Sequence, residues 1–213
     1  RDGDHQDNMP YPAFDLQHRI NYVPIITSRG CPFACAYCAS HVLNPKRMQR
    51  DPDQVVAEIR FWHEKHGVID FAFYDDALLM NAENHAHHIL EGVVRSNLKV
   101  RFHTPNALHI RWLADETATL MRQSGFTTVR LGLEAAGFDD RRDLDAKVTE
   151  NEFRRAVTCL KKAGFDSDQI GAYLLAGLPG QPLTEVAESI ATVKQNGITP
   201  IIAYYSPLPK TLL

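Results

Sequence analysis

Apolar, β-branched runs recur along the chain near Val23 to Thr27, Ile69 to Tyr74, Val100 to His103, Thr128 to Leu133, Gly171 to Ala176 and Ile201 to Tyr205. Each of the five gaps between them carries apolar residues at helical spacing. Strands that alternate with helices predict a parallel sheet with right-handed crossovers. The helix ends are marked. Asp51-Pro52-Asp53-Gln54 offers a capping residue, proline at the first helical position and Gln three residues on; Val55, Ile59 and Trp62 then share one face and Gly67 closes the helix. Thr149 to Glu152 reads as a capping box before Phe153, Val157 and Leu160. Ser124-Gly125-Phe126, Ala163-Gly164-Phe165 and Asn196-Gly197-Ile198 each set glycine at a left-handed cap before an apolar residue that leads into the next strand. Six such units are fewer than the eight of a closed barrel, and 213 residues fall short of that fold's usual ~250. The pattern therefore predicts the α/β class, as an open, partial (β/α)6 TIM-like barrel over residues 21–213, with residues 1–20 as a linker or N-terminal extension.

Composition narrows this little. At 44% hydrophobic and 23% charged, the chain reads as one globular domain with a well-filled core. A formal charge of −3 gives no general attraction to nucleic acid or to an anionic membrane. No apolar run reaches membrane-spanning length, and the expected location is cytoplasmic.

The chemistry is concentrated in Arg29-Gly30-Cys31-Pro32-Phe33-Ala34-Cys35-Ala36-Tyr37-Cys38. Three thiolates on one short loop suit an iron–sulfur cluster, and a fourth position left free by the protein can take a substrate or cofactor. His41 keeps a Cys3His zinc site open as the alternative, a zinc-stabilised binding module without catalysis, although no second cysteine pair supplies the usual second zinc knuckle. A disulfide suits an odd-numbered cluster poorly. Cys159, in a helical stretch, reads as a buried small apolar residue.

This Cys-x3-Cys-x2-Cys spacing, with Tyr37 before the third cysteine, resembles the signature of the radical S-adenosylmethionine (SAM) enzymes. The resemblance covers about Tyr22 to Tyr205 and implies that Cys31, Cys35 and Cys38 hold a 4Fe-4S cluster. It also implies that SAM chelates the fourth iron and is cleaved reductively to methionine and a 5′-deoxyadenosyl radical. Active sites of parallel α/β folds gather at the carboxyl ends of the strands, and further candidates lie there. Asp75 and Asp76 end the second strand; they resemble, in acidic form, a motif that contacts the SAM amino group, and one of them otherwise starts a turn. Leu131-Gly132-Leu133-Glu134 resembles a pattern in which Glu134 reaches the ribose or methionine of SAM, and Lys147 aligns with a cation for the methionine carboxylate. Tyr173, Leu174 and Gly177 belong to a stretch, Tyr173 to Gln181, similar to a family strand whose backbone bonds adenine. Asn106, after the third strand, either touches SAM or caps a turn.

Met9 to Leu16 resembles the linker that joins a cobalamin domain to the SAM barrel in cobalamin-binding radical SAM proteins. Cobalamin is thus implied only together with a missing domain, and the polar start, Arg1 to Asp7, is expected to be disordered. The implied partners are an unknown substrate, an electron donor such as flavodoxin or ferredoxin, and N- and C-terminal domains of a longer protein. Ser206 to Leu213 look too few to close the barrel mouth. Cobalamin-dependent methylation competes with a methylthiotransferase-like reaction, and nothing inside the barrel decides between them.

Overall fold

The computed structural model describes residues 10–138 and 144–213; residues 1–9, with the start of the expected linker, and 139–143 lie outside the described residues. Strands β1 (Val23–Ile25), β4 (Asp70–Phe73), β5 (Arg101–His103), β6 (Phe126–Glu134), β7 (Ile170–Ala176) and β8 (Thr199–Tyr204) form one six-stranded sheet in the order β1-β4-β5-β6-β7-β8. Every pairing in it is parallel. Helices α2 (Pro52–His66), α3 (Ala86–Arg95), α4 (Asp115–Ser124), α5 (Glu150–Lys162) and α6 (Leu183–Gln195) are the crossovers. Because neighbours in the sheet follow chain order, the sheet curls as an open barrel, in agreement with the sequence pattern. The first apolar run is broken differently. After β1 the chain bends into β2 (Ser28–Arg29), which pairs antiparallel with β3 (Met48–Gln49), and helix α1 (Ser40–Leu43) lies between them.

The marked helix ends hold. Asp51 accepts from the Asp53 and Gln54 amides, and Gly67 caps α2 at φ +68°. Thr149 and Glu152 close a reciprocal capping box. Gly125, at φ +105°, is required more strictly, because a Cβ there would lie 2.5 Å from the Val100 carbonyl oxygen.

Alternation along the strands sorts side chains onto two faces. Val23, Ile25, Phe71, Phe73, Phe102, Leu131, Ile170 and Leu174 point toward the helices, none more than 2% exposed. There Phe73 stacks on Phe126 at 5.5 Å and meets Phe102 at 5.1 Å. A buried Phe is worth roughly 1.5–3 kcal/mol, so this aromatic seam anchors the centre of the sheet to its helices. Residues in register on the other face are polar: Asp70 pairs with Arg101, His103 with Thr128, and Arg130 with Gly171. They line a concave cavity of about 640 Å³. The residues expected to be linker pack instead: Tyr11 and Phe14 lie against Phe61 and Trp62 of α2, at 5.1 and 5.5 Å.

Candidate active site

The cysteine loop leaves the carboxyl end of β1 through β2. Gly30, at φ +89°, passes so near the Lys46–Arg47 backbone that a Cβ would meet it at 3.0–3.2 Å. All three thiols are free, Cys35 buried and Cys31 and Cys38 half-buried. Cys38 closes a turn on Cys35 (N to O, 3.0 Å), and the Ser40 amide donates to Cys38 Sγ at 3.4 Å. Burial pushes the Cys31 thiol up and the Cys35 thiol up to about 11. Without a metal these groups stay protonated; soft cations would both deprotonate them and offset their charge. Among the described residues no three His, Cys, Asp or Glu groups close on a single ion. His41, the fourth ligand in the alternative zinc reading, keeps Nδ1 buried without a partner among the described residues. Three thiols on one loop are soft donors of the kind that hold an iron–sulfur cluster.

The two aspartates after β4 have different work. Asp75 is only 3% exposed, and its carboxylate accepts from the Thr27 amide at 3.2 Å, Thr27 Oγ1 at 2.6 Å, the Ser28 amide, and Ser28 Oγ at 2.7 Å. Burial raises its pKa against those hydrogen bonds. The expectation that Asp75 faces the SAM amino group therefore needs correcting: with its oxygens consumed inside the protein, it pins the bend from β1 into β2. Asp76 sits one residue nearer the opening. It accepts from the Gly30 amide (2.8 Å), Ser40 Oγ (2.9 Å) and Asn44 Nδ2 (3.1 Å). One carboxylate thus holds both flanks of the cysteine loop, just before Cys31 and just after Cys38. Asn106 donates to the Tyr74 and Asp75 carbonyls (3.0 and 3.4 Å), which is its turn-capping role.

Glu134, Lys147 and Tyr37 come together. Lys147 Nζ donates to Glu134 Oε1 at 2.7 Å, both side chains nearly buried; Tyr37 donates to Asp145 at 2.8 Å; and Lys147 stands 5.6 Å from the Tyr37 ring centre. Burial alone would lower the Lys147 pKa, but Glu134, Asp145 and Cys35 around it carry it upward. Burial first, then the Glu134 and Asp145 charges, push the Tyr37 phenol well up. Gly132 makes the room, since a Cβ there would meet Glu134 Oε1 at 3.1 Å and Lys147 Nζ at 3.4 Å. Glu134 itself is at φ +67°, where the β6–β7 register shifts; a non-glycine residue held there stores strain of the kind found at functional sites. Tyr173 faces the concave cavity. Leu174 is fully buried on the helix side, so only its backbone bears on the inner face. Gly177, at φ +86°, has open space where a Cβ would project, while its amide donates to Gln181 Oε1 at 2.9 Å. Cys159 is buried on α5 beside Asp115, away from the loop.

Two features had no strong sequence signal. His109 Nε2 lies 3.4 Å from Cys31 Sγ, and its ring packs on Phe33 at 5.0 Å and Trp112 at 5.2 Å; burial pushes the imidazole down to about 4, so it is neutral. A lone histidine after a short strand reads as ordinary surface. The segment after β8 also returns to the cysteine loop, where the Leu212 and Leu213 amides donate to the Ala36 carbonyl at 3.0 and 3.1 Å. Ser206 to Leu213 therefore do reach across the opening.

The chain is 26% identical over 208 residues to an uncharacterized methyltransferase of Pyrococcus horikoshii, PH0819, covering 90% of this chain and 42% of that one. It is 25% identical over 183 residues to the anaerobic magnesium-protoporphyrin IX monomethyl ester cyclase of Rubrivivax gelatinosus, covering 85% and 32%. It thus spans less than half the length of these relatives. Among solved structures, the radical SAM methyltransferase TsrM of Kitasatospora setae, with cobalamin and a [4Fe-4S] cluster bound, superposes with a TM-score of 0.76 at 18% identity, over 90% of this chain and 38% of that one. That likeness shows the fold. The model of the radical SAM superfamily matches residues 25–193, which contain the cysteine loop and the strands that surround it, and the chain belongs to that superfamily.

Proposed function

We propose that this chain is the SAM-cleaving core of a radical SAM enzyme, with Cys31, Cys35 and Cys38 as cluster ligands. The observation that carries the reading is the placement of three free thiols on one loop at the carboxyl mouth of a six-stranded parallel sheet. When bound, the cluster supplies one electron to cleave SAM to methionine and a 5′-deoxyadenosyl radical. The chain's own residues do the rest. Asp76 and Ser40 fix the loop. The Glu134–Lys147 pair presents both charges needed by a zwitterion, Lys147 toward the methionine carboxylate and Glu134 toward the amino group or ribose. The Tyr173 to Gly177 backbone, with Tyr37 at the rim, completes the SAM cradle. In the longer protein we assign a cobalamin-dependent methyl transfer or ring chemistry, fed by a flavodoxin or ferredoxin in the cytoplasm; the supporting observation is the kinship with methyltransferases and a cyclase of more than twice the matched length.

The test is anaerobic reconstitution with iron and sulfide, followed by reduction with SAM present. Bound iron near four per chain and release of 5′-deoxyadenosine are expected, both lost when Cys31, Cys35 and Cys38 are changed to alanine. A chain that holds a reducible cluster and SAM but releases no 5′-deoxyadenosine refutes the assignment.

A further inference from the structure

The inner face of a closed barrel is packed with bulky branched side chains. Here the concave face carries tyrosines, charges and open space, in a cavity of about 640 Å³, within the range of small-molecule sites. Its charges are not balanced. Asp70 is already committed: Arg101 grips it with two bonds of 2.7 and 2.6 Å, and His103 Nε2 reaches it at 3.0 Å. Among the described residues Arg130 has no carboxylate partner. Its Nη1 donates to the Val129 and Gln169 carbonyls at 3.2 and 3.1 Å, and none of the ion pairs among the described residues includes it. Its side chain lies across Gly171, where a Cβ would meet Ile201 Cδ1 at 2.5 Å and come within 3.2 Å of Arg130 Cδ and 3.3 Å of its Nη1. The missing side chain in β7 thus makes room for a guanidinium on the cavity wall.

Aromatic surface surrounds it. Tyr22 and Tyr74 keep 48% and 37% of their area exposed while bonding each other, which raises the Tyr74 phenol, and Tyr173 lines the same cavity. Aromatic faces clustered around a cation in a concave cavity are the lining that marks ligand-binding grooves. Along β6, Arg130 is four residues below Glu134, roughly 13 Å at strand rise. An anion seated on Arg130 therefore leaves room for a body of about 10 Å before the mouth, where the cysteine loop lies.

We propose that this cavity takes a flat, aromatic or conjugated substrate bearing an anionic group, the anion on Arg130 and the ring system against Tyr74 and Tyr173. Naming it the substrate site rests on the radical SAM reading above; the anion preference itself does not. The test uses the reconstituted chain and two fluorescent probes, pyrene-1-carboxylate and its neutral counterpart pyrene-1-methanol, titrated by fluorescence anisotropy. The carboxylate is expected to bind about tenfold more tightly than the alcohol, the scale of one charge-assisted, partly desolvated contact. That ratio should collapse toward one in Arg130→Gln, persist within about threefold in Arg130→Lys, and stay unchanged in Arg155→Gln on the outer face of α5. If Arg130→Gln does not fold, Arg130→Met, which keeps the apolar stem and removes the guanidinium, replaces it and should lower the same ratio. Equal binding of the two probes, no saturation by either, or a ratio that survives loss of the guanidinium overturns the inference. A preparation that cleaves SAM but shows no anion preference rejects the cavity assignment alone. One that shows the preference and holds a reducible cluster and SAM, yet releases no 5′-deoxyadenosine, rejects the enzyme reading and leaves the anion site standing.

Discussion

The role of Asp75 separates a structural tie from a ligand contact. Its carboxylate takes hydrogen bonds from two backbone amides and two hydroxyls, Thr27 and Ser28, in a position 3% exposed. In Asp75→Ala the hydroxyls can turn elsewhere, but the amides of Thr27 and Ser28 lose their acceptor without reaching water. An orphaned buried donor costs about 1–3 kcal/mol, so two of them cost about 3 kcal/mol after partial relaxation. At about 2–4 °C per kcal/mol for a chain of this size, the melting temperature should fall by roughly 10 °C. Asp75→Asn should be far milder. Its oxygen replaces Oδ1, which takes Thr27 Oγ1, both Ser28 donors and one arm of the forked Thr27 amide bond, so only the second arm, to Oδ2 (3.2 Å), is lost. That is worth about 1 kcal/mol. Denaturant melts of the apo chain read both values, with SAM affinity of the reconstituted chain measured alongside. If both variants melt like the parent while SAM binding drops tenfold, Asp75 faces the ligand and the tie is refuted.

Three further outcomes follow, two from buried groups and one from a tight turn. Lys147→Met alone strands Glu134 and should cost about 3–5 kcal/mol, while adding Glu134→Gln should recover most of it, because removing both charges leaves no unpaired ion; equal denaturant midpoints for the single and double variants refute this. Lys147, Tyr37 and Cys35 all have raised pKa values, so the folded chain holds these protons longer than the unfolded one and stability should decline as pH rises from about 9 to 11. Denaturant midpoints across that range should decline less in a Tyr37→Phe, Glu134→Gln, Lys147→Met chain, and an unchanged slope rejects the coupling. Gly125→Ala places a Cβ 2.5 Å from the Val100 carbonyl at φ +105°, and should destabilise by about 2 kcal/mol or more; a melt within 1 °C of the parent refutes that.

The sheet was readable because each of its strands leaves a local trace. Period-two apolar residues face the helices, glycine follows the ends of α2, α4, α5 and α6, and capping residues open α2 and α5. The β2–β3 ribbon left none: two-residue strands carry no period, and their pairing is set by Asp76, 46 residues beyond Gly30, whose amide it accepts. The linker reading of residues 10–16 was incomplete for a similar reason. A Pro-rich start looks extended, yet Tyr11 and Phe14 find a surface on α2 that only the folded helix provides.

The site was legible in its donors and not in its partners. Spacing alone shows that Cys31, Cys35 and Cys38 share a loop, because sequence proximity forces it. Which polar groups serve the ligand and which serve the protein depends on long-range approach. Adjacent Asp75 and Asp76 look equivalent in sequence, yet one points down into Thr27 and Ser28 and the other up to Ser40, Gly30 and Asn44. The concave face hid for the opposite reason. Asp70, Arg101, His103 and Arg130 sit at the polar positions of alternating strands, where sequence reading assigns solvent. In an open barrel those positions line a cavity instead, and curvature of the sheet, which no single strand encodes, turns a solvated face into a cavity wall.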